Sequence, residues 1–223
     1  MKKILAIIAG MLAVASCRPP ESTFSAQNVA DYFTYKDGTL YNDYGNTFAI
    51  TQDNTDGKWK VDGGRMYAIF DILNAQLDIV LKQYLSGTIK AHSGVVDKEN
   101  LPAGDPVVIS DCNIGGGYLN VMLTYYYKEG TDCPHDTRLL YDDDGQTLRL
   151  YLVHDGAGEN PVAMDKDSLK SKNVLYCFQF LDMVPSGEYR SIVLDVDILN
   201  TDINDKYMSR HISSDLYGRP VQF

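Results

Sequence analysis

Between Tyr35 and Gly64 the chain is interrupted four times by turn chemistry, at Lys36-Asp37-Gly38, Asp43-Tyr44-Gly45-Asn46, Asp53-Asn54-Thr55-Asp56-Gly57 and Asp62-Gly63-Gly64. The stretches left between these turns are too short for a stable helix, so this region folds as short strands or does not fold. The strand segments read as 39–42, 47–51, 65–73 and 77–90. In the third, Met66, Ala68 and Phe70 alternate with Tyr67, Ile69 and Asp71, a period of two with both faces largely apolar. A sheet that buries both faces within so short a sequence curls and closes on itself. A small barrel of the OB type fits this size, and the pattern alone does not separate it from an SH3-like barrel.

A Gly-, Pro- and charge-rich stretch, 93–106, interrupts the strand pattern and marks a boundary. A second set of strands follows at 106–110, 118–127, 138–141, 147–154, 173–181 and 190–199. Leu148, Leu150 and Leu152 face one way while Arg149 and Tyr151 face the other; Ile192, Leu194, Val196 and Ile198 repeat this, with Asp195 and Asp197 opposite. Such half-buried alternation belongs to an antiparallel sheet with one wet face, and two of them make a β-sandwich. Only 165–172 and 204–212 carry short helix-like spacing. The expected fold is all-β: a small OB-type barrel over 34–95 followed by an antiparallel β-sandwich over 96–223.

At the other end of the sequence, Met1-Lys2-Lys3, the apolar run 4–14 and Ala15-Ser16-Cys17 have the order of a signal segment. The apolar run is too short to span a bilayer as a helix. Val14-Ala15-Ser16-Cys17 resembles a bacterial lipobox, which implies cleavage of residues 1–16 and acylation of Cys17, the one site residue the sequence assigns. Residues 17–33, with Pro19, Pro20, Ser22, Thr23 and Ser25, then read as a tether. Several acyl chains hold a protein to a membrane far more firmly than one myristoyl group does, so the membrane is reached through the N-terminal lipid.

Loss of Lys2 and Lys3 leaves 18 basic against 30 acidic residues, a net charge of −12. With no basic stripe to neutralise phosphates, nucleic acid is excluded as a partner. Beyond Cys17 there are Cys112, Cys133 and Cys177, enough for one disulfide and one free thiol, or for three buried apolar side chains. No CxxC spacing points to zinc or to redox chemistry.

No catalytic, cofactor-binding or metal-ligating residue is assigned. His92, His135, His154 and His211 are not at ligand spacing, and no Gly-x-Ser-x-Gly elbow occurs. Gly115-Gly116-Gly117 lacks the lysine and hydroxyl of a phosphate loop, and Asp142-Asp143-Asp144-Gly145 lacks the alternating oxygens of a calcium loop. A hydrolase would have to assemble its site in space, with His154, Asp155 and His135 as the participants. Tyrosine is the compositional excess, 16 residues against 7 phenylalanines and the single Trp59, and Tyr118, Tyr125, Tyr126, Tyr127, Tyr141 and Tyr151 fall in the second strand set. High β-propensity accounts for them, and an exposed tyrosine patch would make a binding face.

The order of features, from lipobox through a glycine-punctuated β domain to Asp105-Pro106-Val107-Val108-Ile109 and Gly117-Tyr118-Leu119-Asn120-Val121, resembles the NigD-like lipoproteins of Bacteroides-type bacteria. That resemblance implies an N-terminal OB domain and a C-terminal β-sandwich. None of the motifs that carry it is a catalytic signature, so the chain is not expected to be an enzyme. It also implies the outer membrane, and the absence of an acidic cluster after Cys17 favours its periplasmic face. The functional expectation is a lipid-anchored cell-envelope protein, a non-catalytic binding module for a protein or a glycan. The alternatives are a hydrolase with a spatially assembled site and a bacteriocin-associated, immunity-type accessory protein.

Overall fold

The computed structural model describes residues 24–97, 99–100, 103–130, 134–180, 191–201 and 206–216. The signal segment 1–16, Cys17 and Cys133 lie outside them.

Five strands form the first unit: β1 (Ala26–Lys36), β2 (Thr39–Asn42), β3 (Thr47–Asp53), β4 (Arg65–Ile72) and β5 (Asp78–Lys90). They are hydrogen-bonded in the cyclic order β1-β2-β3-β5-β4 and back to β1. The ring is closed by a parallel pairing of β3 with β5 at Ile50↔Ile79, all other pairs being antiparallel. This is the closed OB-type barrel. Its interior is filled by Phe33, Leu40, Phe48, Ala68, Phe70, Ile79 and Leu81, with the three phenylalanine rings meeting edge to face at 5.1–5.6 Å.

The second unit comprises β6 (Val108–Gly115), β7 (Tyr118–Lys128), β8 (Asp136–Asp143), β9 (Thr147–Asp155), β10 (Leu169–Gln179), β11 (Ser191–Thr201) and β12 (Tyr207–Asp215), with 3₁₀ turns at Pro161–Ala163 and Lys166–Ser168. One layer has the order β12-β11-β9-β8, and the other, β10-β7-β6, is a continuation of the barrel sheet. The two are joined because β5 outruns the barrel and pairs with β10 over Leu175↔Gly87 to Phe178↔Lys90. Leu119, Val121, Leu123 and Phe178 of one layer face Leu139, Leu148, Leu150 and Leu194 of the other, all fully buried.

Four expectations are corrected. The sandwich is not purely antiparallel: β5–β10 and β9–β11 are parallel pairs. Alternation reports which face is wet and carries no information about the direction of the neighbour. The tether cannot extend to residue 33, because β1 starts at Ala26 within it. A register shift between Ala26 and Val29, with Asn28 at φ 52°, breaks the alternation that would have marked the strand. The helical reading of 165–172 gives way to one 3₁₀ turn, capped by the Asp165 side chain, and the start of β10. The helical reading of 204–212 gives way to β12, whose residues 207–215 pair with β11 along their whole length. Both segments are short and polar, and tertiary pairing decides their state over local spacing.

Candidate functional site

Sequence Gly117-Tyr118-Leu119-Asn120-Val121 opens β7 at the seam between barrel and sandwich. Arg65, from the barrel strand β4, has only 1 % of its side chain exposed and pairs with Asp43 at 2.5 Å. It also donates to Asn120 Oδ1 at 2.8 Å and to Thr34 Oγ1 at 3.0 Å, while the Tyr118 ring covers the guanidinium at 4.8 Å. Asn120 Nδ2 returns to Asp43 Oδ2 at 3.1 Å and to Asn113 Oδ1 at 2.9 Å. The Gly115-Gly116-Gly117 turn is the clearance for this network: a Cβ at Gly115 or Gly116 would run into the Asp43 carboxylate. The motif that carries the family resemblance is therefore a structural seam, with every polar group turned inward.

Two of the three candidate hydrolase residues do converge. His135 Nδ1 lies 3.0 Å from His154 Nε2, His135 Nε2 lies 3.0 Å from Glu159 Oε2, and Thr137 Oγ1 lies 2.9 Å from His154 Nδ1. Tyr125 stacks on both imidazoles at 4.5 and 5.2 Å. With the Glu159 carboxylate accepting from His135 Nε2–H, one consistent arrangement has His135 Nδ1 accepting from His154 Nε2–H and His154 Nδ1 accepting from the Thr137 hydroxyl. Burial, reinforced by the neighbouring His135 imidazole and opposed by Asp105, Asp155 and Asp136, pushes the His154 imidazole down to about 4. Asp155 is exposed and turns its carboxylate to the amide of Ala157.

This chain has the order of an acid–base relay ending in a hydroxyl, but Thr137 is 0 % exposed and no reacting atom can reach it. Nor does it chelate, since each imidazole spans two partners in a line and its nitrogens diverge. Among the described residues no group of three or more ligating side chains is placed to hold a metal. Glu159 and Thr137 are functional neighbours that sequence reasoning missed. The β8–β9 register, Thr137↔His154, brings in Thr137, and the loop after β9 brings in Glu159.

The remaining candidates resolve locally. The Asp142-Asp143-Asp144-Gly145 carboxylates cap their own hairpin, Asp143 accepting from Gly145 N and Asp144 from Thr147 N. His211 faces Asp197 at 3.2 Å and Asp195 at 3.4 Å across the β11–β12 pair, with Arg149 on Asp195 at 2.9 Å. Cys112 and Cys177 are free and buried; burial raises both thiols, Cys177 to about 11. In the sandwich, Tyr125 and Tyr176 are buried and Tyr118 and Tyr127 half-buried, and among the described residues the most exposed tyrosines, Tyr41 and Tyr44, belong to the barrel.

A concave, solvent-open feature is found on the barrel. Beyond the short pairing Leu40↔Phe48 and Tyr41↔Thr47, strands β2 and β3 have no further ladder contacts and a groove of about 680 Å³ lies there. Its floor is Leu40, Phe48, Tyr35 and Trp59, the last two in edge contact at 5.2 Å. Its rim carries Thr39, Thr47, Thr51, Lys60, Asp53 and Gln76. The charges there are matched: Lys60 sits 3.6 Å from Asp53, which also accepts from the Trp59 indole at 3.2 Å. Burial pushes the Asp53 carboxyl up, but hydrogen bonds from Thr55 and Trp59, together with Lys60, outweigh it and leave the carboxyl below its ordinary value.

Neither a protein-family model nor a curated protein matches the sequence. Solved structures share the fold. A protein of unknown function from Bacteroides vulgatus superposes with a TM-score of 0.59 at 17 % identity, over 89 % of this chain and 95 % of that one. A NigD-like immunity protein from Bacteroides caccae gives 0.53 at 17 % identity, over 86 % and 94 %. A Bacteroides fragilis protein provisionally described as a lipoprotein gives 0.54 at 14 % identity, over 85 % and 98 %. The architecture implied by the family resemblance, barrel followed by sandwich, is the one these proteins have.

Proposed function

We propose that this chain is a lipid-anchored, non-catalytic binding module of the bacterial cell envelope, held through Cys17 at the periplasmic face of the outer membrane, with its ligand seated in the barrel groove. The groove carries the reading. It lies on the β2–β3 face, the face that OB barrels use for ligands, and combines an aromatic floor with an open polar rim. The lipobox and the provisional lipoprotein description of the B. fragilis neighbour support the anchor. The burial of Thr137 and His154 argues against hydrolysis at the relay. An immunity-type accessory role has the name of the B. caccae neighbour behind it and no feature of the groove.

Two measurements test the proposal. Metabolic labelling with an alkyne fatty acid should mark the wild type and leave Cys17→Ala unmarked and released from the membrane. A photoreactive residue at position 41, beside the groove, should capture an envelope component in native cells, and the same residue at 142, in the far hairpin, should not. Equal capture at both positions refutes the groove as the binding face.

A further inference from the structure

The groove's chemistry selects a class of ligand as well as a place to bind it, and that selection rests on the proposal that the groove is the binding face. On β2 and β3 the side chains alternate across the barrel wall. Leu40 and Phe48 point in, whereas Thr39 and Tyr41 of β2 and Thr47, Ala49 and Thr51 of β3 point out. Tyr41, 36 % exposed, stands directly across from Thr47 at the head of the groove. The outward face therefore carries one aromatic plate, Tyr41, and the hydroxyls of Thr39, Thr47 and Thr51, with Ala49 between the last two. Thr51 donates its hydroxyl proton to the Ile79 carbonyl and keeps its oxygen lone pairs for a ligand.

Three classes of ligand meet this face differently. A polyanion requires unpaired cations, but Lys60 is matched by Asp53 and neighbouring Lys58 by Asp56 at 2.8 Å, on a mature chain of net charge −12. A protein partner needs apolar anchors that can be desolvated, and the large apolar side chains here are committed to the barrel core, Phe48 at 5 % and Trp59 at 4 % exposure. An uncharged sugar needs an aromatic plate for its C–H face and neutral donors and acceptors for its hydroxyls, which Tyr41 and the rim residues Thr39, Thr47, Thr51 and Gln76 supply.

We infer that the barrel groove binds a neutral oligosaccharide, with Tyr41, beside the groove across from Thr47, as the stacking platform and Thr39, Thr47, Thr51 and Gln76 contacting its hydroxyls. Trp59, the single tryptophan, lies in the groove floor and reports occupancy without a label. The experiment titrates the full-length protein in detergent with maltohexaose, mannohexaose, xylohexaose and chitohexaose, and with oligogalacturonate as the acidic probe, following Trp59 emission. At least one neutral hexasaccharide should give a saturable shift. Tyr41→Ala and Thr51→Val should each weaken that binding by about tenfold. Tyr44→Ala, exposed on the adjacent turn and, unlike Tyr41, not paired across from a residue of the groove, should leave it within about twofold. Tighter binding of oligogalacturonate overturns the inference, as does silence with all four neutral probes. In the latter case a protein captured from position 41 preserves the groove as a binding face and replaces its ligand class, whereas no capture there removes the groove as well.

Discussion

His154 is an imidazole that the fold keeps neutral. Both its ring nitrogens are taken up, by Thr137 and His135, in a buried site that penalises a charged ring. The folded value of about 4 lies below the ordinary 6.5, so the unfolded chain takes up a proton that the folded chain refuses. Stability present above about pH 6.5 is then lost as pH falls toward 4, by on the order of 3 kcal/mol. The urea midpoint of the wild type should drop over that interval, and the drop should shrink in His154→Gln, which titrates nothing. Identical pH profiles for the two proteins would refute the assignment. Arg65 carries the opposite burden, a permanent charge that burial would penalise without Asp43 beside it. Removing it as Arg65→Met strands the Asp43 carboxylate and should cost about 3–5 kcal/mol in denaturant unfolding. The double change Arg65→Met with Asp43→Leu should recover part of this loss, because a stranded charge is worse than no charge.

At the scale of elements, the β6–β7 hairpin shows how a short glycine turn can serve a distant strand. Gly116 has φ 59°, and a methyl there meets both Asp43 and the Arg65 guanidinium. Gly116→Ala should therefore destabilise by about 2 kcal/mol, from a strained φ and a displaced ion pair together. Gly145→Ala, at φ 82° with open space around it, should cost only the conformational part, about 1 kcal/mol. Thermal melts of the two variants side by side separate the contributions. The turn residues were legible in the sequence because their chemistry is local, and β2 appears over the very residues 39–42 that the turns enclose. So was the alternation of β9; in β11 Ile192, Leu194 and Val196 are buried as expected, but Asp195, expected on the wet face, is buried too, with Arg149 and His211 on it. What alternation does not encode is the neighbour. The parallel pairs, the bulged start of β1 and the strand at 207–215 all depend on partners remote in sequence. The same limit hid the relay: His135 and His154 were visible as residue types, but Thr137 and Glu159 join them only through the β8–β9 register and the loop after it.

For the whole molecule, the question is whether barrel and sandwich unfold separately, as two sequence-defined units would. Three couplings oppose separation. Strand β5 belongs to both, its first part closing the barrel on β3 and its last residues pairing with β10. A third apolar cluster, Tyr32, Leu175 and Cys177 packed with Tyr67, Leu85 and Tyr118, draws its members from both units and has no counterpart on either alone. Polar bonds cross the same seam: Tyr32 donates to Asp111 at 2.8 Å, Arg65 to Asn120, and Lys90 to Asp136 at 2.6 Å and to the Thr137 carbonyl at 2.8 Å. Exposing this seam would leave Arg65, Asp43 and Asn120 without their partners and an apolar surface in water, so a half-folded state lies well above both end states. Unfolding should be a single transition with calorimetric and van't Hoff enthalpies in agreement. Trp59 emission, which reports the barrel, should change at the same denaturant concentration as far-UV circular dichroism, which is dominated by both units. If Trp59 moved first, the barrel would be an independent domain. Ligand bound in its groove would then stabilise the barrel alone, instead of shifting the one transition of the entire chain.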